Sequence, residues 1–174
     1  MTRPVAVLIG PPGAGKTTIA HALSEKLGVR VRDTDEDIVS ATGRAIADIF
    51  VDDGEPHFRE LEHAAVTKAL SEHDGVLALG GGAVLDPRTQ EALREHVVVF
   101  LDVRITDAAR RVGLNRDRPL LLGNPRAQWT MMMDHRRPIY TQIATHRVPT
   151  DGLEPDEVTS AVLSALGLQE TSHE

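Results

Sequence analysis

The chain contains no cysteine, few aromatic residues and no apolar run long enough to cross a membrane. Without cysteine there is no disulfide, no thiolate metal ligand and no thiol nucleophile. Aromatic residues make up 3% of the 174 residues, so the core must be built mainly from Val, Leu, Ile and Ala. A membrane-spanning helix needs about 20 apolar residues, so none is expected. These absences favour a location in the reducing cytoplasm.

Positive charge is also scarce, with 19 Lys and Arg against 26 Asp and Glu and a net charge of −7. A protein that binds nucleic acid broadly needs a basic face, so neither a nucleic-acid nor a membrane partner is expected. The length suits one buried core, which predicts a single domain over 1–174. A monomer is expected. Within it, 169–174 is expected to be a loose tail.

The most informative stretch is the glycine-rich loop Gly10–Thr18, which follows an apolar run and precedes an amphipathic segment. Its spacing of glycines, lysine and threonine fits the phosphate-binding P-loop, whose backbone N–H groups surround phosphate oxygens. The alternative is a strand-to-helix turn with a solvated lysine. The residues predicted to bind the nucleotide here are Gly13, Ala14, Gly15, Lys16, Thr17 and Thr18, with Lys16 on the β- and γ-phosphates and Thr17 on magnesium.

Strand-like and helix-like segments alternate along the rest of the chain. Strands are predicted at 5–9, about 29–32, 76–79, 97–102 and 146–149, and helices at 16–27, 37–41, 45–51, 55–70, 87–95, 106–112, from 124 to about 144 with an interruption near 136–138, and 155–166. Such alternation predicts an α/β fold of three α/β/α layers, with a central, mostly parallel five-stranded sheet.

Ligands of parallel sheets lie beyond the carboxyl ends of the strands. The P-loop, Asp33 with Asp35, and Gly80–Gly82 each follow a predicted strand, so they should converge on one edge. Residues two apart in an extended chain point the same way, which would turn both aspartates towards one site. The alternative is that the two aspartates cap the helix that begins near Asp37.

Several further motifs accompany the P-loop: Asp33-Thr34-Asp35, Phe58-Arg59-Glu60-Leu61-Glu62, Gly80-Gly81-Gly82-Ala83, Arg118-Pro119-Leu120-Leu121 and Arg136-Arg137-Pro138-Ile139-Tyr140. Together, and in this order, they resemble the shikimate kinase family, small P-loop kinases of the nucleoside-monophosphate-kinase type. The resemblance extends to about Leu166. It implies a P-loop kinase fold with ATP as co-substrate, Mg²⁺ as metal, and transfer of the γ-phosphoryl group to the 3-hydroxyl of shikimate.

The resemblance also implies a role for individual residues. Asp35 would orient the substrate hydroxyls first and act as a base second, and Asp33 would hold magnesium through water. Arg59 and Arg136 would clamp the carboxylate, with close backbone contact from Gly80, Gly81 and Gly82. Arg118 would lie in a lid over the transferring phosphate. Arg111 and Pro155 would contact adenine, and Phe50, Phe58 and Glu62 would line or brace the acceptor pocket. The acceptor segment would span about 34–62 and the lid about 113–123.

Several of these residues also have a simpler interpretation. Arg59 has Glu55 four residues before it and Glu62 three after, which is ion-pair spacing on a helix. Arg136 stands beside Arg137, and either side chain would fit a solvated surface. One departure from the family's pattern is that 150–154 contains no arginine. Two other functions remain open: a kinase of another small molecule such as gluconate, and a non-catalytic ATP-binding regulator.

Overall fold

A parallel five-stranded sheet forms the centre of the molecule. The computed structural model of the chain describes residues 2–113 and 124–168. Its strands are β1 (Ala6–Ile9), β2 (Val31–Asp33), β3 (Val76–Ala78), β4 (Val98–Asp102) and β5 (His146–Pro149), in the order β2-β3-β1-β4-β5. Every neighbouring pair is parallel, so the predicted sheet is confirmed and is parallel throughout.

Eight α-helices accompany the sheet in the described part of the chain. They are α1 (Lys16–Leu27), α2 (Thr34–Thr42), α3 (Ile46–Asp53), α4 (Glu55–Glu72), α5 (Pro87–Leu93), α6 (Ile105–Val112), α7 (Pro125–Ile143) and α8 (Pro155–Leu166), with a 3₁₀ helix at Ala83–Leu85. Most predicted bounds agree to within two residues. Two differ: α2 begins three residues earlier than predicted, and α7 continues through Pro138 without the predicted interruption.

The sheet is covered on both faces. All residues of β1 and β4 are buried, although successive side chains of a strand point to opposite faces. A strand buried in this way needs a layer of helices above and below it, which is the predicted three-layer arrangement. The main core is aliphatic, as the composition predicted, with Phe100, Trp129 and Tyr140 among its buried members.

Helices α2, α3 and α4 have a small core of their own. Ile38, Ile49 and Phe58 are buried together there, apart from the main core, and Phe50 and Leu61 pack against them. This small core lies within the segment 34–62 that was predicted to bind the acceptor. These three helices therefore share buried contacts of their own, while α4 also contributes Val66, Ala69 and Leu70 to the main core.

The carboxyl ends of the parallel strands meet at one edge of the sheet. The loop after β1, the start of α2 after β2, and the glycines after β3 all lie at this edge. None of the described helices is long and apolar enough to span a membrane. Most of the predicted lid and all of the predicted tail at 169–174 lie outside the described residues, and the single-domain division stays a prediction.

Candidate active site

The predicted P-loop connects β1 to α1 and lies close against neighbouring backbone. Gly13 and Gly15 have φ angles of 88° and 89°, a left-handed region that favours glycine. A side chain on Gly13 would also stand 3.0 Å from the Cα of Ala108 in α6. Glycine is therefore required at Gly13 both by the backbone angle and by the close approach of α6.

Lys16, the first residue of α1, reaches back over the loop. Its Nζ donates to the carbonyl oxygens of Gly10 and Pro11 at 2.6 and 3.1 Å. Burial lowers the pKa of Lys16 to about 8, although the nearby carboxylates of Asp35 and Asp33 oppose this shift. The ammonium group thus lies between the P-loop and the two aspartates.

A cavity of about 980 Å³ opens over the P-loop. It is lined by many of the predicted nucleotide and metal ligands: Gly13, Ala14, Gly15, Lys16, Thr17, Thr18, Asp33, Arg111 and Pro155. Asp35 and Gly81 from the predicted acceptor side line it as well. The space over the phosphate loop therefore extends to Asp35 and Gly81, whereas Arg59, Arg136, Gly80 and Gly82 are not among its lining residues.

Arg111 of α6 ties the P-loop to the end of β5. Its Nη1 donates to the Gly13 carbonyl and to Thr150 Oγ1, both at 3.1 Å, and its Nη2 donates to the Thr150 carbonyl at 3.0 Å. The segment after β5 has no arginine, yet Gly152 and Leu153 line the cavity beside Pro155. The far end of the cavity therefore combines Gly152, Leu153 and Pro155 with charged side chains, which are Asp107, Arg110, Arg111 and Glu154.

The predicted geometry of Asp33 and Asp35 was wrong. The chain does not stay extended after β2 but turns into α2 at Thr34. Asp33 is the N-cap of α2, and its Oδ1 accepts from the backbone N–H of Asp35 at 2.8 Å and of Glu36 at 3.4 Å. The capping alternative holds for Asp33, on a helix that begins at Thr34 and not near Asp37. Both aspartates nevertheless line the same cavity.

Gly80, Gly81 and Gly82 each face one of the predicted acceptor ligands. A Cβ atom on Gly80 would lie 2.6 Å from Asp35 Oδ1, and one on Gly82 would lie 2.6 Å from both terminal nitrogens of Arg59. On Gly81 it would lie 3.4 Å from Arg136 Nη1. The triplet therefore lets three side chains from three helices converge on the end of β3.

Arg59 of α4 is held by ion pairs and aromatic rings. Its Nη1 contacts Glu62 Oε1 at 2.7 Å and its Nη2 contacts Glu55 Oε1 at 3.3 Å, so the simpler ion-pair interpretation also applies. The guanidinium carbon lies 5.8 Å from the ring centre of Phe50 and 5.4 Å from that of Phe58. These contacts fix the guanidinium beside Gly82. Glu62 is 3% exposed, and burial raises the pKa of its carboxyl group.

The structure distinguishes the two adjacent arginines of α7. Arg137 and Arg147 both pair with the buried carboxylate of Asp102 at the end of β4. The Arg136 guanidinium instead lies beside Gly81 and interacts with the hydroxyl of Tyr140. Arg137 therefore joins α7 to the sheet, while Arg136 reaches the candidate site.

Two residues near the site had no role predicted from the sequence. Trp129 Nε1 donates to the Pro12 carbonyl in the P-loop at 3.0 Å, and the Tyr140 hydroxyl donates to the Gly81 carbonyl at 2.5 Å. The helical periodicity of α7 indicates a buried face, but it carries no sign of which loop that face meets. Arg118, the predicted lid residue, lies outside the described residues.

A P-loop after the central strand of a parallel sheet, with a cluster of carboxylate and guanidinium side chains beside its cavity, defines a P-loop kinase. The family model of shikimate kinase matches residues 12–167. A shikimate kinase of Streptomyces avermitilis is 56% identical over 98% of this chain and 99% of its own length, and one of Rhodococcus erythropolis is 47% identical over 94% and 98%. The chain belongs to the shikimate kinase family and is an ATP-dependent kinase.

Solved structures agree with this assignment. A shikimate kinase from Acinetobacter baumannii in complex with shikimate has a TM-score of 0.85 and 31% identity, covering 94% of this chain and 92% of that one. A gluconokinase from Sinorhizobium meliloti has a TM-score of 0.60 and 19% identity, covering 93% and 90%. The second likeness concerns the fold alone.

Proposed function

We propose that this protein transfers the γ-phosphoryl group of ATP to the 3-hydroxyl of shikimate, giving shikimate 3-phosphate and ADP in aromatic amino-acid biosynthesis. The observation that carries the proposal is the convergence of Asp35, Arg59 and Arg136 on the glycines after β3, beside the P-loop cavity. Two cations and one hydrogen-bond acceptor match an acceptor molecule that has one carboxylate and several hydroxyls. Family membership supports the same reaction.

The two arginines suit a carboxylate because a guanidinium donates two parallel hydrogen bonds to its two oxygens. Arg59 approaches from α4 and Arg136 from α7, so they reach the glycine triplet from different helices. Phe50 and Phe58 hold the Arg59 fork in place. Arg59 and Arg136 would therefore select an acidic acceptor and orient it with its hydroxyls turned away from the carboxylate clamp.

Asp35 is suited to orient the reacting hydroxyl, because an ionised carboxylate only accepts hydrogen bonds. Burial raises the pKa of Asp35, with a further increase from Asp33, while Lys16 and Arg59 lower it. A raised pKa makes the carboxylate a better proton acceptor. Asp35 would thus orient the hydroxyl first and take its proton as the bond to phosphorus forms.

On the donor side, the P-loop N–H groups and Lys16 would surround the β- and γ-phosphates of ATP. Phosphoryl transfer depends mainly on alignment and charge neutralisation, which these groups supply. Arg111 and Pro155 line the cavity beyond the loop, where the adenine would lie. We also assign Arg118 to the lid over the transferring phosphate, on the resemblance alone.

A magnesium ion fits the donor set on this side of the cavity. Thr17 and Asp33 contribute a hydroxyl and a carboxylate to one cavity wall, and Mg²⁺ prefers oxygen ligands while it keeps several waters. The Asp33 Oδ1 is occupied by backbone N–H groups, so Oδ2 is the atom available to a metal-bound water. When bound with ATP, the ion would neutralise charge on the β- and γ-phosphates.

A coupled assay tests the proposal directly. With ATP and magnesium present, ADP release should depend on shikimate and should be absent with gluconate. Equal rates with both acceptors, or none with shikimate, would exclude the proposed substrate. ATP binding without turnover of either acceptor would instead favour a non-catalytic regulator on the same fold.

We further propose that the protein acts in the cytoplasm as a monomer, with neither nucleic acid nor a membrane as partner. Its net charge of −7 is consistent with a surface that repels nucleic acid. Size-exclusion chromatography with light scattering checks the oligomeric state, and a mass near twice the 18.9 kDa of the chain would contradict it.

A further inference from the structure

Helix α7 contacts both halves of the site through two side chains. Near its start, Trp129 Nε1 donates to the Pro12 carbonyl in the P-loop at 3.0 Å. Near its end, the Tyr140 hydroxyl donates to the Gly81 carbonyl at 2.5 Å. Residues 129 and 140 are separated by about three turns at 3.6 residues per turn, so they lie on one face of the helix. Each half of the site thus receives one hydrogen bond from the same rigid element.

Tyr140 is placed to act on more than the Gly81 carbonyl. The residue is fully buried, and its ring stacks on Phe100 with 5.0 Å between the ring centres. Its hydroxyl also interacts with the guanidinium of Arg136, one helical turn earlier. Burial raises the pKa of the phenol, so the hydroxyl keeps its proton and remains a donor. The Tyr140 hydroxyl and the Arg136 guanidinium therefore both lie against Gly81.

We propose that Tyr140 is a positioning residue for the acceptor carboxylate, whose hydroxyl sets the Arg136 guanidinium and the Gly81 carbonyl relative to each other. The inference rests on the proposed function, because it assumes a carboxylate between Arg136 and Arg59. An arginine side chain is long and flexible, and two parallel hydrogen bonds need its planar end in one orientation.

Replacing Tyr140 by phenylalanine isolates the hydroxyl. The variant Tyr140→Phe keeps the ring that stacks on Phe100, so the fold is expected to persist. KM for shikimate should rise roughly tenfold, while KM for ATP and kcat change by less than about threefold. Equal increases in both KM values, or no increase for shikimate, would overturn the proposal.

The matched control is Trp129→Phe, which removes one hydrogen bond from the same helix to the opposite half of the site. In this variant the effects on the two KM values should be reversed. KM for ATP should rise, and KM for shikimate should stay close to that of the wild type. If both variants change the same KM, α7 acts as a general support and Tyr140 has no specific role.

A double-mutant cycle shows whether Tyr140 acts through Arg136. In an Arg136→Ala background, Tyr140→Phe should change KM for shikimate by less than about twofold, because the group that it positions is gone. An undiminished tenfold increase in that background would overturn the proposal. A wild-type protein that does not phosphorylate shikimate would overturn the proposed function and this inference together. If the wild type is active but Tyr140→Phe does not selectively raise KM for shikimate, this inference alone is overturned.

A second measurement keeps the tyrosine in place and does not depend on the stability of a variant. The chain contains one tyrosine, so uniform replacement by 3-fluorotyrosine places fluorine only at position 140. Saturating shikimate should shift the single ¹⁹F resonance, and an unhydrolysable ATP analogue alone should shift it less. A resonance that shikimate leaves unchanged, or that the analogue shifts more, would overturn the proposal. The single tryptophan allows the reciprocal measurement with 5-fluorotryptophan at the P-loop.

Discussion

The donor and acceptor halves of the site are built in different ways. The phosphate-binding part of the donor half is one continuous stretch between β1 and α1, where mainly backbone N–H groups would face a phosphate. The acceptor half draws Asp35 from α2, Arg59 from α4, Arg136 from α7 and three glycines from the loop after β3. It acts through side chains, which meet only when those elements pack correctly.

The two halves also use the cores differently, because part of the acceptor half rests on the small core while α7 and the end of β3 belong to the large one. The P-loop joins elements of the large aliphatic core, whereas α2, α3 and α4 share the small core around Ile49. A change in the donor half should therefore affect the chemistry of any acceptor. A change in the acceptor half should affect one substrate and leave the other largely unaffected. The predictions below test this division, beginning with the largest expected effect.

Lys16→Met should abolish turnover. The side chain keeps a similar length but loses the positive charge that would neutralise the β- and γ-phosphates, so kcat/KM should fall at least about 100-fold. A coupled ADP-release assay measures this loss. Shikimate binding, followed by calorimetry without nucleotide, should change little. Full activity in this variant would show that Lys16 is not needed for phosphoryl transfer, and would favour the alternative of a non-catalytic ATP-binding regulator.

Arg136→Ala and Arg137→Ala should affect different properties although the residues are neighbours: the first the binding of shikimate, the second the stability of the fold. Loss of Arg136 removes a charged hydrogen-bond donor worth about 1.5–3 kcal/mol, so KM for shikimate should rise roughly 10- to 100-fold with KM for ATP within about twofold. Steady-state kinetics with each substrate varied in turn separates the two constants. Equal loss of affinity for both ligands would contradict the carboxylate assignment.

Arg137→Ala is the matched control. It removes one of the two cations on the buried Asp102, and Arg137 is 39% exposed, so its loss should cost about 1 kcal/mol after allowance for solvent screening. For a chain of this length, that lowers Tm by about 2–4 °C. KM for shikimate should stay near the wild-type value. A large rise in that KM without any change in Tm would mean that the two arginines have been assigned the wrong way round.

The same division explains what the sequence was able to predict. The P-loop was predictable because its chemistry and its local structure lie in the same few residues. The strands and helices followed from periodicity, and Gly28 and Gly43 end α1 and α2 in the left-handed conformation expected of such glycines. These features depend on neighbours in the chain, which a sequence displays directly.

The acceptor half needed information from distant residues. Arg136 and Arg137 differ in role only because Asp102 stands at the end of β4, 35 residues from Arg137 in the chain. The early start of α2 depends on the Asp33 cap, and Thr34 Oγ1 also accepts from the Gly80 N–H at 3.3 Å across the sheet edge. The family resemblance supplied the role of Arg136 in advance, but neither it nor periodicity and spacing supplied the contacts with Asp102 and Gly80. The role of Arg118 stays a prediction.

Gly82→Ala should produce a smaller and purely acceptor-side effect. Gly82 has φ −96° and ψ 0°, angles that alanine tolerates, so the backbone is not strained. Its new Cβ would stand 2.6 Å from both terminal nitrogens of Arg59 and would displace the guanidinium. KM for shikimate should rise about three- to tenfold with KM for ATP unchanged.

Arg59→Ala provides the control for that substitution. If Gly82→Ala acts by displacing Arg59, it should add little in a protein that already lacks this side chain. Additive effects in the double variant would mean that the alanine disturbs the acceptor loop directly, and the match between Gly82 and Arg59 would then be incidental.

The smallest predicted effect is a pH dependence that separates the two halves. Burial lowers the pKa of Lys16 to about 8, and its charged form is the one that binds phosphate. Because the charge is lost as pH rises through that value, kcat/KM for ATP should fall above about pH 8. Bound phosphate favours the ammonium form, so kcat at saturating ATP should decline only at higher pH.

The acid limb of the pH–rate profile should be set by the acceptor half of the site. Burial raises the pKa of Asp35, and its ionised form accepts the substrate hydroxyl, so kcat/KM for shikimate should fall on acidification at a higher pH than an ordinary aspartate would produce. Asp35→Asn should lose this acid limb from any residual activity, and Lys16→Arg should lose the basic limb, because arginine stays charged throughout the range. Two results would contradict this assignment: loss of the basic limb in Asp35→Asn, or loss of the acid limb in Lys16→Arg. The donor and acceptor halves would then titrate as one network and could not be separated.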